Sequence, residues 1–276
     1  MAAAEEAIRH QQVYGALVPG RRSGRLLVAS AASPLVAQLL TKVFTAQAQG
    51  VTLAVQDVVP MSASDSRGVA GPYLVLALVI GGYIGAMVIG RVIGMRSSSA
   101  RHLGLRLGIV AGYAVAAGAL GVVLLDPVLG VMHGHALAIA ATGALVAFAV
   151  ALFTSALQTL LGLAGTLLSV VTLVIIGNPA SGGGQIPPSM LPAAWAWLAH
   201  VLPNPAGMTA VRSLEYFAGH GAAQAFLALS IYAIAAVAVM LVMVYFPATA
   251  KGPDATSGSA ALAGELAAEA APGSVL

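Results

Sequence analysis

The chain has 276 residues, of which 59% are hydrophobic and only 8% charged, with a net charge of +3 and no cysteine. A soluble domain carries roughly a quarter charged residues, so most of this chain is excluded from water and its solvent is lipid. The absence of cysteine excludes disulfides, thiolate catalysis and cysteine-ligated metals, and the ten Arg and two Lys are too scattered for a nucleic-acid surface.

Residues 1–70 predict a small mixed α/β domain. Val13 to Val18 and Arg25 to Ala29 are short strand candidates, and Val51 to Val59, rich in β-branched residues, is a third. A well-signalled helix lies between the last two. Ser33 is its N-cap and Pro34 its first residue; Leu35, Val36, Leu39, Leu40, Val43 and Phe44 supply its apolar side, and Gly50 lies just beyond its end. The pattern is β-α-β. Arg9, Arg21, Arg22 and Arg25 interrupt any apolar export signal, and the domain's core is thin. Both features lead to the expectation that an earlier span and more of this domain precede Met1.

Five apolar stretches follow, predicted as spans over about 71–90, 104–125, 136–157, 161–177 and 222–246. Between Arg67 and Arg91 there are 23 residues without charge, enough for one crossing. In the second span Gly104, Gly108 and Gly112 share a helix face and predict close helix approach. Residues 136–177 are too long for a single crossing and predict a hairpin that turns near Gln158 to Gly165. Tyr245 and Phe246 close the fifth span as an interfacial anchor.

Arg91, Arg96, Arg101 and Arg106 lie in the link between the first two spans, whereas the next link has Asp126 and no Lys or Arg. The positive-inside rule therefore makes the arginine link cytoplasmic, the N-terminus external, and the tail bearing Lys251 internal. Residues 178–221 form an outer re-entrant or interfacial segment. Its opening, with Asn178, Pro179, Ser181, Gly182, Gly183, Pro188 and Pro192, is too rich in Gly and Pro for continuous helix. Trp195 and Trp197 then suit a short interfacial helix, and residues 248–276 read as a flexible cytoplasmic tail. The predicted fold class is an all-α polytopic membrane protein with five transmembrane helices and a small α/β extracellular fragment.

No catalytic or cofactor site emerges. Lys42 and Lys251 are the only lysines, and neither follows a phosphate-cradling glycine loop. His133 and His135 lack the further ligands a metal needs, and Ser181 with His200 or His220 lacks a third, orienting group. Tyr83, Thr154, Ser155, Gln158, Thr166 and Ser169 within the spans either line a path or hydrogen-bond neighbouring helices. With no charge expected inside the bundle, a proton-driven transporter is disfavoured.

The segments LLVASAASPLVAQLL, DVVPMSASDSRGVAGPYLVLALVIGGYIGA, LLDPVLG and GNPASGGGQIPPSMLPAAWAWLAHVLPNPAGMTAVRSLEYF, in this order over residues 12–246, resemble the type-2 ABC transporter permease superfamily. The likeness is to its phage-infection-protein-like (YhgE/Pip) branch. It implies a bacterial cell-membrane protein of six spans with a large extracellular domain, here lacking the first span, and with an outward re-entrant segment before the last. It also implies a homodimer or paired permease in membrane lipid, exporting a lipid-like, peptide or drug-like substrate. A separate ATP-binding subunit would dock on the Arg91 to Arg106 link. The alternative from the same branch is a membrane-anchored surface or scaffold protein without transport activity. Neither reading makes the chain an enzyme, and neither requires a cofactor or nucleic acid.

Overall fold

The computed structural model describes residues 1–20, 23–48, 52–131 and 135–246. Gly50, Val51, His133, Lys251 and the expected tail over 248–276 lie outside them.

Residues Met1–Val244 form one compact unit. It begins with a helix that the sequence reading did not include, α1 (Ala2–Arg9), in which alanines favour helix, Glu5 lies in the first turn and Arg9 in the last. Three strands follow, β1 (Gly15–Val18), β2 (Ser23–Val28) and β3 (Thr52–Asp57). They form a sheet in the order β1-β2-β3, with β1 antiparallel to β2 and β3 parallel to it. The helix predicted to open at Ser33 is α2 (Pro34–Gln47), and the Ser33 hydroxyl accepts from the Val36 amide at 3.3 Å. The two-residue period of β2 sorts its side chains. Leu26 and Val28 pack with Ala37, while Leu27 joins Ile8, Ala31, Val59 and Phe217 on the opposite face.

The apolar stretches form α3 (Ala70–Ile93), α4 (Ala100–Val123), α5 (Ala136–Leu161), α6 (Leu163–Val170) and, toward the C-terminus, α10 (Ala223–Tyr245). A π-helical stretch, Val171–Ile176, carries α6 on into α7 (Gly177–Ala180). Five helical segments among the described residues are thus long and apolar enough to cross a membrane. The chain reverses between α5 and α6 at Gly162, whose φ of 61° and ψ of −132° suit glycine.

Helix α5 is central, packing against α3, α4 and α6. Half of its most apolar stretch is buried, against 17% for α4 and 22% for α10, so α4 and α10 keep wide faces for lipid or other chains. Small residues set the α4–α5 crossing: a Cβ added to Gly118 would strike the backbone of Ala140 and Ala144. The expected close-approach face is different. Gly104, Gly108 and Gly112 have nothing from the described residues within 4 Å of an added Cβ, because α4 turns that face away from them.

Two short helices follow α7. The first, α8 (Ala193–Val201), carries Trp195 and Trp197. The second, α9 (Pro203–Tyr216), packs against α3 and α5 and buries Asn204, Met208 and Val211. Its prolines argue against helix on composition alone. Pro203 is its first residue and Pro205 lies in the same opening turn, where amides have no intrahelical partner to lose.

Replacing Gly118 with Leu should lower the melting temperature of the detergent-solubilised protein by roughly 3–10 °C, the scale of overpacking by about 1–3 kcal/mol. Gly108→Ala should leave it unchanged or slightly raised, because alanine favours helix and meets no neighbour.

Candidate functional site

The two regions singled out from the sequence lie at opposite ends of α3. At one end, Arg91 sits in the last turn of α3 and Arg96 in the link. Helix α4 starts at Ala100, capped by the Ser99 hydroxyl on the His102 amide at 3.2 Å, so Arg101 and Arg106 are helical rather than part of the link. Arg91, Arg96 and Arg101 are exposed. Arg106 is only 1% exposed, which corrects the expectation that the bundle holds no charge.

The Arg106 guanidinium is held by neutral oxygens. Its Nη1 donates to the Met95 carbonyl at 2.7 Å and the Gly94 carbonyl at 3.3 Å, and its Nη2 to Gln158 Oε1 at 3.0 Å. Gln158 Nε2 donates in turn to Thr166 Oγ1 at 3.0 Å. Beside this chain, Arg96 Nε donates to the Thr159 carbonyl at 3.1 Å, and the Thr159 hydroxyl to the Met95 carbonyl at 3.1 Å. The ends of α3, α4, α5 and α6 are tied together in this way. A positive charge among the last carbonyls of α3 is favoured by the helix dipole, and arginine stays protonated, so Arg106 is a clasp rather than a proton relay.

Other in-span polar residues divide. Gln158 and Thr166 bond across helices, and Ser169 bonds back to the Gly165 carbonyl at 2.9 Å. Thr154 Oγ1, Ser155 Oγ and both amide atoms of Asn204 are buried without a protein partner. Tyr83 packs half-buried against the main core.

At the opposite end lies the glycine- and proline-rich segment. Asn178 and Pro179 belong to α7, whose helix ends at Ser181, and the Ser181 hydroxyl donates to the Asn178 carbonyl at 2.6 Å. Gly182, Gly183 and Gly184 then have φ of 60°, 60° and 73°, three successive left-handed residues that other side chains would strain. Pro188 opens a short 3₁₀ turn, and Pro192 precedes α8.

The N-terminal unit clamps this segment. Ser33 Oγ donates to the Gln185 carbonyl at 2.9 Å, Gln185 Nε2 to the Arg67 carbonyl at 3.1 Å, and Gln11 Nε2 to Ser213 Oγ at 3.1 Å. Phe217, just past α9, inserts into the unit's core, and His10 stacks on His220 with ring centroids 4.1 Å apart. Arg212 of α9 donates to the carbonyls of Ala32 and Gly184. No motif marks Arg212 in the sequence; a lone basic residue in a short apolar helix was the available signal.

Helix α9 lies outside the five spans, and its charges are perturbed. Burial lowers the Arg212 value, an effect opposed by Tyr216, Tyr14 and Glu215. Burial, with the charge of Asp65, raises Glu215 from the usual 4.5 to about 7, against the Tyr216 hydroxyl and Arg212. Burial and the neighbouring Glu215 push the Tyr216 phenol up. Asp65 itself caps α3, accepting from the Val69 and Ala70 amides at 3.0 and 2.8 Å.

The hydrolytic and metal arrangements gain no support. Ser181 and His200 line one cavity, but no carboxylate lines it to orient a base. His135 precedes α5 in a left-handed conformation, and no group of three metal-ligating residues occurs among the described residues.

Glu215 should make stability pH-dependent. The folded chain keeps this proton up to about 7, whereas the unfolded chain releases it near 4.5, so stability falls as pH rises through that window. Between pH 5 and 8, Glu215→Gln should lose less melting temperature than the wild type, by about 2–4 °C once solvent screening of a partly exposed group is allowed for.

No family model, curated protein or solved structure matches the chain, so its function is read from the residues and geometry above.

Proposed function

We propose that this chain is the membrane subunit of a type-2 ABC-like permease, exporting a lipid-like, peptide or drug-like substrate with energy from a separate ATPase. The observation that carries the reading is α9. A short helix lies immediately before the last apolar helix, folded back against α3 and α5 and too short to cross a membrane. The helix lies within the segment 178–221, for which the sequence resemblance implies an outward re-entrant element, and it supports that reading by its place in the chain order.

On this reading the membrane is a bacterial cell membrane, the sheet-bearing N-terminal unit is outside, and the arginine end faces the cytoplasm. The chain has no phosphate-cradling lysine loop, so energy comes from a partner. Arg91, Arg96 and Arg101, all exposed, supply its docking surface. Arg106 makes no such contact, being buried; it fixes the link against α5 through Gln158. The open Gly104, Gly108 and Gly112 face of α4 suits a second permease copy, because small residues let helices approach where lipid offers no hydrophobic gain.

A second reading, a membrane-anchored surface protein without transport, is favoured by one feature. Leu35, Leu39 and Val43 of α2 are 38%, 42% and 48% exposed, an apolar stripe on the N-terminal unit that a partner would cover.

Affinity purification of the full chain from its own cells separates the two readings. The permease reading requires an ATPase in the eluate, reduced at least tenfold by the pair Arg91→Glu and Arg101→Glu; an eluate with no ATPase favours the surface protein. Dimer formation has its own check. Gly108→Ile should weaken chemical cross-linking between copies while leaving the monomer's melting temperature within about 2 °C, because that face meets nothing inside the chain.

A further inference from the structure

A cavity of about 180 Å³ lies among the N-terminal unit, the glycine segment, α8, α9 and the start of α10. Tyr14, Ser181, His200, Thr209, Arg212 and Gln224 contribute polar groups to it, and no Asp or Glu among the described residues lines it. Arginine has five N–H donors. Two of those on Arg212 are committed to the carbonyls of Ala32 and Gly184, which leaves three, and both partners are neutral. The cavity therefore presents a cation with no carboxylate from the described residues in its wall, Glu215 acting on it from outside that wall. Such a half-buried charge favours an anionic ligand that brings further acceptors.

The remaining lining is apolar, including Ile186, Pro187, Met208 and Ala225. The two helices that wall it also carry large apolar side chains facing outward. Trp197 of α8 is 64% exposed and Leu227 of α10 is 61% exposed, so the surroundings are of the kind acyl chains cover. The volume decides how much of a ligand fits. Pockets that enclose a whole drug-sized molecule run to roughly 300–1,000 Å³, so this one takes a head group and leaves chains outside.

We propose that the cavity binds the phosphate-bearing head group of an anionic amphiphile from the surrounding leaflet, with the phosphate on Arg212 and other head-group atoms on His200 and Gln224. The acyl chains lie along α8 and α10. The site does not depend on an ATPase, and it stands whether the chain is a permease or a surface protein.

The test uses the full chain in a non-ionic detergent, titrated with dihexanoyl phosphatidylglycerol, dihexanoyl phosphatidylcholine or inorganic phosphate while thermal unfolding is followed. The two lipids share tails and differ in head-group charge. Phosphatidylglycerol should raise the melting temperature by about 5–10 °C at a hundredfold excess over Kd. Phosphatidylcholine and phosphate should each do less than half as much. Because Arg212 also holds two backbone carbonyls, the decisive variant leaves it in place. His200→Leu with Gln224→Leu should keep the unliganded melting temperature and elution volume and weaken phosphatidylglycerol binding at least fivefold. The proposal is overturned by no phosphatidylglycerol stabilisation, by equal stabilisation from phosphatidylcholine or from phosphate alone, or by unchanged affinity in the double variant.

Discussion

Lipid accepts and donates no hydrogen bonds, and a helix end buried inside the protein has no water either, so there the chain must supply the partners itself. Its few charges serve this need. The Asp65 carboxylate takes two amides at the N-terminus of α3, and the Arg106 guanidinium takes two carbonyls at the opposite end of the same helix. The signs agree with the helix dipole, negative at the start and positive at the finish. Arg96 does the same at the last turn of α5, and Arg212 reaches a carbonyl in the glycine segment where helix cannot continue. Asp65 and Arg106 are themselves buried, so water does not stand in for them. Here, removing one would strand backbone polar atoms, which costs more than the bond itself contributes.

Packing between the caps follows residue size. Where α4 meets α5, Gly118 admits the backbone of its neighbour, and Gly82 of α3 brings that helix against Val150 in the same way. Helix α5 can touch several helices because its neighbours yield space to it. The more open faces of α4 and α10 have no such partner among the described residues, and they are the surfaces left for lipid or a second chain.

Much of this was legible in the sequence because the signals were local. Apolar length located five helices, and Ser33 with Pro34 located α2, since capping depends on neighbours one turn away. What failed depended on contacts distant in sequence. Gly104, Gly108 and Gly112 define a face by helical period, but period cannot say which way the face turns. Arg106 stands at the edge of an apolar run and reads as link; the folded-back Met95 carbonyl and Gln158, 52 residues away, hold it in the interior. Helix α9 was hidden by two prolines whose missing amides cost nothing in a first turn. Arg212 and Glu215 carry no motif, and their properties arise from Gly184, Ala32 and Asp65.

The caps also bear on how the two ends of the molecule communicate. Helix α3 has 24 residues, a rod of about 36 Å with Asp65 fastened at one end and the Arg106 clasp at the other. A force applied to the arginine link meets Gly94 and Met95 first, and their bonds to Arg106 and Thr159 pass it to α4 and α5 rather than letting the link flex alone. At the far end, Gly184 packs on Pro72 near the start of α3, and the Gly184 carbonyl is the acceptor of Arg212. On the proposed permease reading, a partner working at the exposed arginines would therefore act on the glycine segment through a rigid helix.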